Sequence, residues 1–189
     1  MRGARLGLAL FAAACLAPVA AHAQNVGGES LLSRLNYGVQ GGLMVPEGPQ
    51  GVSLASGPFA SINVHGESAL GMQLGFEASY IASDDALRTR FAGLSALARL
   101  SPVPEDYRAF VQLSGGFYHV TYDPKVSTVA KPGSTTRPGG SFGIGFDAIE
   151  ASNFSIGGVI TYHGVVLGRS QARSFLIAAL NVTFKPSRY

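Results

Sequence analysis

Every second residue constrains this chain. Apolar side chains alternate with small or polar ones over stretches of about ten residues, and the strand is the regular element whose side chains change face at each step. The cleanest stretch is Leu70 to Tyr80, where Leu70, Met72, Leu74, Phe76, Ala78 and Tyr80 share one face and Gly71, Gln73, Gly75, Glu77 and Ser79 the other. The same pattern recurs from Arg34 to Val45, Phe59 to His65, Thr89 to Leu100, Arg108 to Thr121, Ser141 to Ile149, Phe154 to Val166 and Ser174 to Lys185, which predicts eight strands. After residue 23 no stretch approaches the ~20 consecutive apolar residues that a membrane-crossing helix needs.

The connections between these strands alternate in length. Gly66 to Ala69, Ser101 to Tyr107 and Glu150 to Asn153 are short, whereas Pro46 to Pro58, Ile81 to Arg88, Tyr122 to Gly140 and Leu167 to Arg173 are longer. The longest holds Pro124, Lys131, Pro132, Gly133 and Pro138 and reads as a mobile polar loop. Short turns at one end and long loops at the other suit an all-β, eight-stranded antiparallel up-and-down transmembrane β-barrel, with both termini on the short-turn side.

Residues 1–23 have the three parts of a secretory signal: a basic start at Arg2 and Arg5, an apolar run from Leu6 to Val19, and the small-x-small site Ala21-His22-Ala23 before Gln24. Cleavage there leaves residues 24–189 as one barrel domain and removes Cys15, the only cysteine, so no disulfide is expected. Residues 12–15 faintly resemble a lipoprotein cleavage box, but Ala12 stands where leucine is usual and the chain stays apolar after Cys15. The formal charge of the whole chain is +3, but two of its basic residues sit in the leader. What remains is nearly neutral, so nothing argues for a nucleic-acid partner. Charged residues make up only 13% of the chain, about half the share of a typical soluble domain.

The two faces carry different chemistry. The apolar face is nearly free of charge, as a lipid-facing band must be when Arg or Lys at mid-bilayer costs ~2–4 kcal/mol. The other face is small and glycine-rich, with Gly38, Gly42, Gly71, Gly75, Gly93, Gly116, Gly143, Gly145 and Gly157, which suits a narrow lumen. Aromatics of the apolar face fall near strand ends, with Tyr37, Phe154 and Phe184 at the turn end and Tyr80, Phe117, Phe142 and Tyr162 at the loop end. Those are the places for two interfacial girdles.

From Ser33 to Phe184 the chain resembles the small eight-stranded outer-membrane barrels of the OmpX, OmpW and OmpA-transmembrane type. The resemblance implies a bacterial outer-membrane location, contact with outer-membrane lipids and lipopolysaccharide, and insertion by the barrel assembly machinery. Members of that group usually end on an aromatic residue after alternating apolar positions. Ala178, Leu180, Val182 and Phe184 reproduce that ending, but the chain continues to Tyr189, so either aromatic residue is a candidate assembly signal. A monomer without enzymatic activity is expected, with a role in envelope integrity, surface interaction or minor passage of small solutes.

Four ionisable residues share the lumen parity: Glu77, Arg99, Asp147 and His163. Arg99 and Asp147 lie at similar heights above the turn end, where they could pair across the lumen; a buried ion pair or a polar network filling the interior is expected, rather than a transport or catalytic role, because charges in a closed lumen need partners. Glu77 and His163 fall near the loop end. A carboxylate beside an imidazole is half of a hydrolase site, and some eight-stranded barrels are lipid A deacylases with a serine two residues after the histidine. Here that residue is Val165, so a lipid A-modifying enzyme stands as an alternative, as does a soluble periplasmic barrel that binds an apolar ligand with its faces reversed. His65 and His119 have no companions at ligand spacing, and neither metal nor cofactor is expected. Gly143-Ile144-Gly145 lacks the following helix of a phosphate loop. Asp84-Asp85 reads as a solvated loop tip. Arg88, Arg90 and Arg173 fall near the loop end, where lipid phosphates lie, or form a plain basic rim.

Overall fold

The computed structural model describes residues 35–47, 55–67, 72–85, 87–101, 108–125, 132–168 and 171–186. The leader at 1–23, Cys15 and Tyr189 lie outside the described residues. Alternation becomes eight strands: β1 Leu35–Glu47, β2 Gly57–Glu67, β3 Met72–Ala82, β4 Arg90–Leu100, β5 Ala109–Tyr122, β6 Gly133–Glu150, β7 Phe154–Gly168 and β8 Gln171–Phe184. Each pairs antiparallel with its neighbour in sequence, and β8 returns to β1 to close the barrel. Closure removes every free edge from the wall where the strands overlap, so backbone N–H and C=O groups find partners without help from solvent.

The faces sort as the alternation implies. Ile62 is 61% exposed and Leu180 70%, as outward residues, while Glu77 and His163 are 1% exposed and Arg99 4% in the interior. These exposures overturn the alternative with reversed faces, since its apolar ligand would need the outward set to line the interior. A bulge between Asp147 and Ile149 shifts the β6–β7 register and leaves both Ala148 and Ile149 outside.

Two features depart from the sequence reading. The first is the long polar loop: Gly133 to Gly140 is strand, paired residue for residue with Gly115 to Tyr122. Pro138 tolerates this because the pairing of β6 with β7 stops at Gly139 opposite Val165. Beyond that point β6 pairs on one side only among the described residues, and a residue without an N–H fits such an edge.

The second is the interior, which is not uniformly small and polar. Toward the loop end Met44, Phe59, Ile81, Phe91, Tyr118, Val120, Val165, Phe175 and Ile177 all point inward and are buried. They form an apolar plug in which the Phe91 and Phe175 rings lie 5.4 Å apart. Most of the polar side chains lie below it, toward the turns, although His163 sits within the plug against Tyr118 and Phe175, and Leu97 and Phe110 are buried on the turn side.

Two glycines make room for the plug. A Cβ at Gly93 would lie 2.7 Å from Tyr118 Cε1 and 2.6 Å from Ser79 Oγ, and one at Gly139 would lie 2.8 Å from the opposite edge of the same ring. Gly93→Ala is therefore expected to destabilise the barrel by about 1–3 kcal/mol through overpacking. Urea midpoints of Gly93→Ala alone and combined with Tyr118→Phe and Tyr118→Ala check this, since only the smaller side chain relieves the clash.

Candidate functional site

Three adjacent strands bring one charged chain together in the lumen. The register sets Arg99 of β4 opposite Gln112 of β5 and Gln73 of β3. Arg99 Nε donates to Gln112 Oε1 at 3.1 Å, and Gln112 Nε2 donates to Glu77 Oε2 at 3.4 Å. An amide suits this bridge because it offers an acceptor to the cation and a donor to the anion. The guanidinium also lies 4.7 Å from the centre of the Phe110 ring, within cation–π range. Glutamine 112 and Phe110 were not among the candidate residues. Their parity and their position beside Arg99 in the register are the signals that identify them.

Of the ion pair and the polar network that the sequence left open, no Arg99–Asp147 ion pair forms. Both residues line a polar cavity of about 30 Å³ near the turn end, shared with Asn36, His65, Gln73 and Thr183. Arg99 Nη2 and Asp147 Oδ1 are each buried without a hydrogen-bond partner among the described residues. The register of β6 with β7 shifts just past Asp147, which itself still pairs with Gly157.

His163 belongs to a different cluster from Glu77. Its Nδ1 lies 3.1 Å from Tyr118 Oη, its Nε2 lies 3.0 Å from Thr161 Oγ1, and its ring stacks on Phe175 with an interplanar angle of 13°. Glu77 turns to Gln112 instead. Both ring nitrogens of His163 are thus engaged, and Val165, two residues on, is a plug residue rather than a nucleophile. A further amide chain closes the lumen across the barrel seam. Ser61 Oγ donates to Gln40 Oε1, Gln40 Nε2 to Asn181 Oδ1, and Asn181 Nδ2 to Thr183 Oγ1. Nearby, His65 Nδ1 lies 3.1 Å from Asn63 Oδ1.

The seven aromatic candidates lie on the outer face. Phe184 pairs with both Tyr37 and Phe154, so these three form a row across β1, β8 and β7 at the turn end. Phe142 pairs with Tyr162, and Tyr80 and Phe117 stand exposed on β3 and β5.

At the loop end the acidic pair departs from expectation. Asp85 is buried, its carboxylate accepting from Thr89 N and Thr89 Oγ1 at 2.9 Å each, so it braces the turn rather than meeting solvent. Asp84 pairs with Lys125 at 2.9 Å, and that hydrogen bond and charge, with a smaller pull from Arg88, hold its carboxyl below the usual carboxylate range. With Asp123 N donating to Leu87 O and Ser83 Oγ to Ala55 O, three loops are tied together. The three arginines separate. Arg88 and Arg90 are exposed at the head of β4, while Arg173 lies on the lumen parity of β8, four strands away.

No family model matches the chain, and no curated protein sequence does. Solved structures do. A Neisserial surface protein, NspA, aligns over 80% of this chain and 96% of its own at 12% identity and a TM-score of 0.60. The N-terminal β-barrel domain of Pseudomonas aeruginosa OprF aligns over 79% and 96% at 13% identity and a TM-score of 0.51. At such identities the likeness is one of fold: the chain is built as a small eight-stranded barrel of the kind found among outer-membrane proteins.

Proposed function

We propose that this protein is a non-enzymatic, monomeric barrel of the bacterial outer membrane, exported by its leader and inserted by the assembly machinery. Its work is mechanical support of the envelope and presentation of its tied loops at the surface, with lipopolysaccharide as its lipid neighbour. The apolar plug carries this reading. A lumen packed shut at the loop end by Phe59, Phe91, Tyr118 and Phe175 offers hydrated solutes no continuous polar path. Small-solute passage is accordingly the least supported of the roles that the sequence left open. The doubly bonded, buried His163 likewise favours a structural role over lipid A chemistry.

The outward apolar set supports the membrane location. Exposed Val39, Leu43, Ile62, Leu94, Ile144, Ile160 and Leu180 make a band that water would disfavour and hydrocarbon would not. The row of Tyr37, Phe184 and Phe154 marks its turn-end border, where aromatic rings suit an interface.

Cell fractionation, mobility on SDS gels with and without boiling, and liposome swelling with small sugars test the proposal together. Outer-membrane recovery, a mobility shift on boiling and no swelling are expected. The triple variant Phe59→Ala, Phe91→Ala and Phe175→Ala is expected to admit solute if it still folds. Swelling by the wild-type chain would reject the closed-lumen reading, and a soluble chain of unchanged mobility would reject the membrane reading.

A further inference from the structure

We propose that the turn-end cavity of the lumen is a binding site for the amide group of a small polar molecule, held between Arg99 and Asp147. Each of these residues carries one buried polar atom, Arg99 Nη2 and Asp147 Oδ1, without a hydrogen-bond partner among the described residues. The first is a donor and the second an acceptor, and both side chains line the same cavity of about 30 Å³. The guanidinium is held from two other directions, by Gln112 Oε1 at 3.1 Å and by the Phe110 ring at 4.7 Å. It is thus a fixed and buried donor beside the cavity. The site does not depend on the outer-membrane reading, because its geometry is that of the closed barrel alone.

The other charges near the cavity are matched. Lys185, which also lines it, is bonded to Glu150, and Arg108 approaches the same carboxylate at 3.9 Å. Glu77 is taken by Gln112, and His65 engages Asn63 Oδ1 through its Nδ1 at 3.1 Å. Arg99 and Asp147 therefore face the cavity as one cation and one anion. A free anion would satisfy only the first, and a free cation only the second.

An amide satisfies both, since its C=O accepts from a guanidinium and its N–H donates to a carboxylate. Gln112 already bridges this same Arg99 to Glu77 in that way. Toward Asp147 no side-chain amide does so: Gln73 stands opposite Arg99 in the register, yet Nη2 remains without a partner. The cavity of about 30 Å³ exceeds the roughly 10–15 Å³ that one water needs, and so suits the O–C–N head of an amide and little more. Water can bridge the same two groups, and a ligand that reproduces both hydrogen bonds displaces it without loss. Gln73, Ser101 and Lys185 are half-buried members of the lining and mark its rim. Any larger remainder, such as the ring of an N-acetylated amino sugar, would stay at that mouth. The ligand class is therefore a free small amide or the acetamido group of such a sugar.

NMR titration of the isotope-labelled full chain in a neutral detergent tests the site, followed through the Arg99 Nε–H and Gln112 Nε2 signals. The probes are acetamide, acetate, methylammonium and N-acetylglucosamine. Acetamide should saturate both signals with a dissociation constant on the order of 1 mM, as suits a ligand of about four non-hydrogen atoms. Acetate lacks the donor and methylammonium the acceptor, so each should bind about tenfold or more weakly. N-acetylglucosamine that binds as acetamide does would support the sugar-borne amide. Its failure beside saturation by acetamide would support the free small amide. Asp147→Leu should weaken acetamide binding about tenfold or more, and Asp147→Asn, which keeps a carbonyl acceptor, by less. Folding of each variant is first checked by its mobility shift on boiling. Acetate or methylammonium binding as tightly as acetamide would overturn the site. So would acetamide without saturation well above that constant, or a folded Asp147→Leu chain that binds as wild type does. The comparison of probes on the wild-type chain decides the matter even where a variant does not fold.

Discussion

Leu180→Arg will lower the unfolding free energy of the barrel in lipid vesicles by about 2–4 kcal/mol. Leu180 is 70% exposed and lies between Ala178 and Val182 on the outward face of β8. Its partners across the sheet are Gly41 and Gly158, which offer an incoming guanidinium no side-chain acceptor. In water this exchange would be nearly silent, since surface substitutions away from special features fall within about 0.5 kcal/mol. In hydrocarbon the guanidinium must be desolvated or must drag water and headgroups toward it. The same change at Thr136, exposed on the β5–β6 hairpin, should have no comparable effect. Urea unfolding of both variants in vesicles of one composition separates the cases. A Leu180→Arg barrel as stable as the Thr136→Arg barrel would mean that this face does not meet lipid.

Arg99→Ala will destabilise the barrel by about 3–5 kcal/mol, more than the loss of its hydrogen bond alone predicts. Removal of the guanidinium leaves Glu77 buried with only an amide donor and strips Gln112 Oε1 of its partner. It also takes the cation from the Phe110 ring. The penalty is therefore chiefly that of a stranded anion, and it should disappear when the anion goes too. A triple exchange of Glu77→Met, Gln112→Leu and Arg99→Met should recover most of the stability, because a well-packed apolar replacement of a buried ionic chain is often neutral or better. Unfolding midpoints of the single and triple variants decide the matter. A triple variant as unstable as Arg99→Ala would assign the loss to packing at β4 instead of to charge.

The parity of the sequence carried most of the architecture. Leu74, Phe76 and Ala78 against Gly75, Glu77 and Ser79 left little choice of face, because a one-residue slip would move the whole apolar set inside. The extension of β6 was harder to see. Gly133 and Pro138 are loop-forming residues by local chemistry, and only the pairing of Gly133 to Gly140 with β5 overrides them. The plug was hidden for a related reason. Phe59 lies between Pro58 and Ala60, and Phe175 and Ile177 flank the outward Leu176, so the alternation fades at the upper ends of these strands. The polar candidates were recognisable as inward residues, but not their partners. Whether Arg99 meets Asp147 or Gln112 depends on strand stagger, which sets Gln112 directly across from Arg99 and leaves no mark in composition.

The seam between β1 and β8 has a consequence for how the chain must assemble. The hydrogen bond from Gln40 to Asn181 joins residues 141 positions apart, and every pair along that seam is comparably remote in sequence. Each hairpin can form from neighbouring segments, but the seam becomes available only after the last strand exists and the ends of the sheet have curled together. Ordering so long a loop before its contacts reward it makes closure the slow event. A chain stopped short of β8 would keep two open edges at once, on β1 and on β7, and both would be templates for pairing with another copy. Truncation at Gly168 should therefore yield aggregates or exchanged dimers rather than a smaller, weaker monomer.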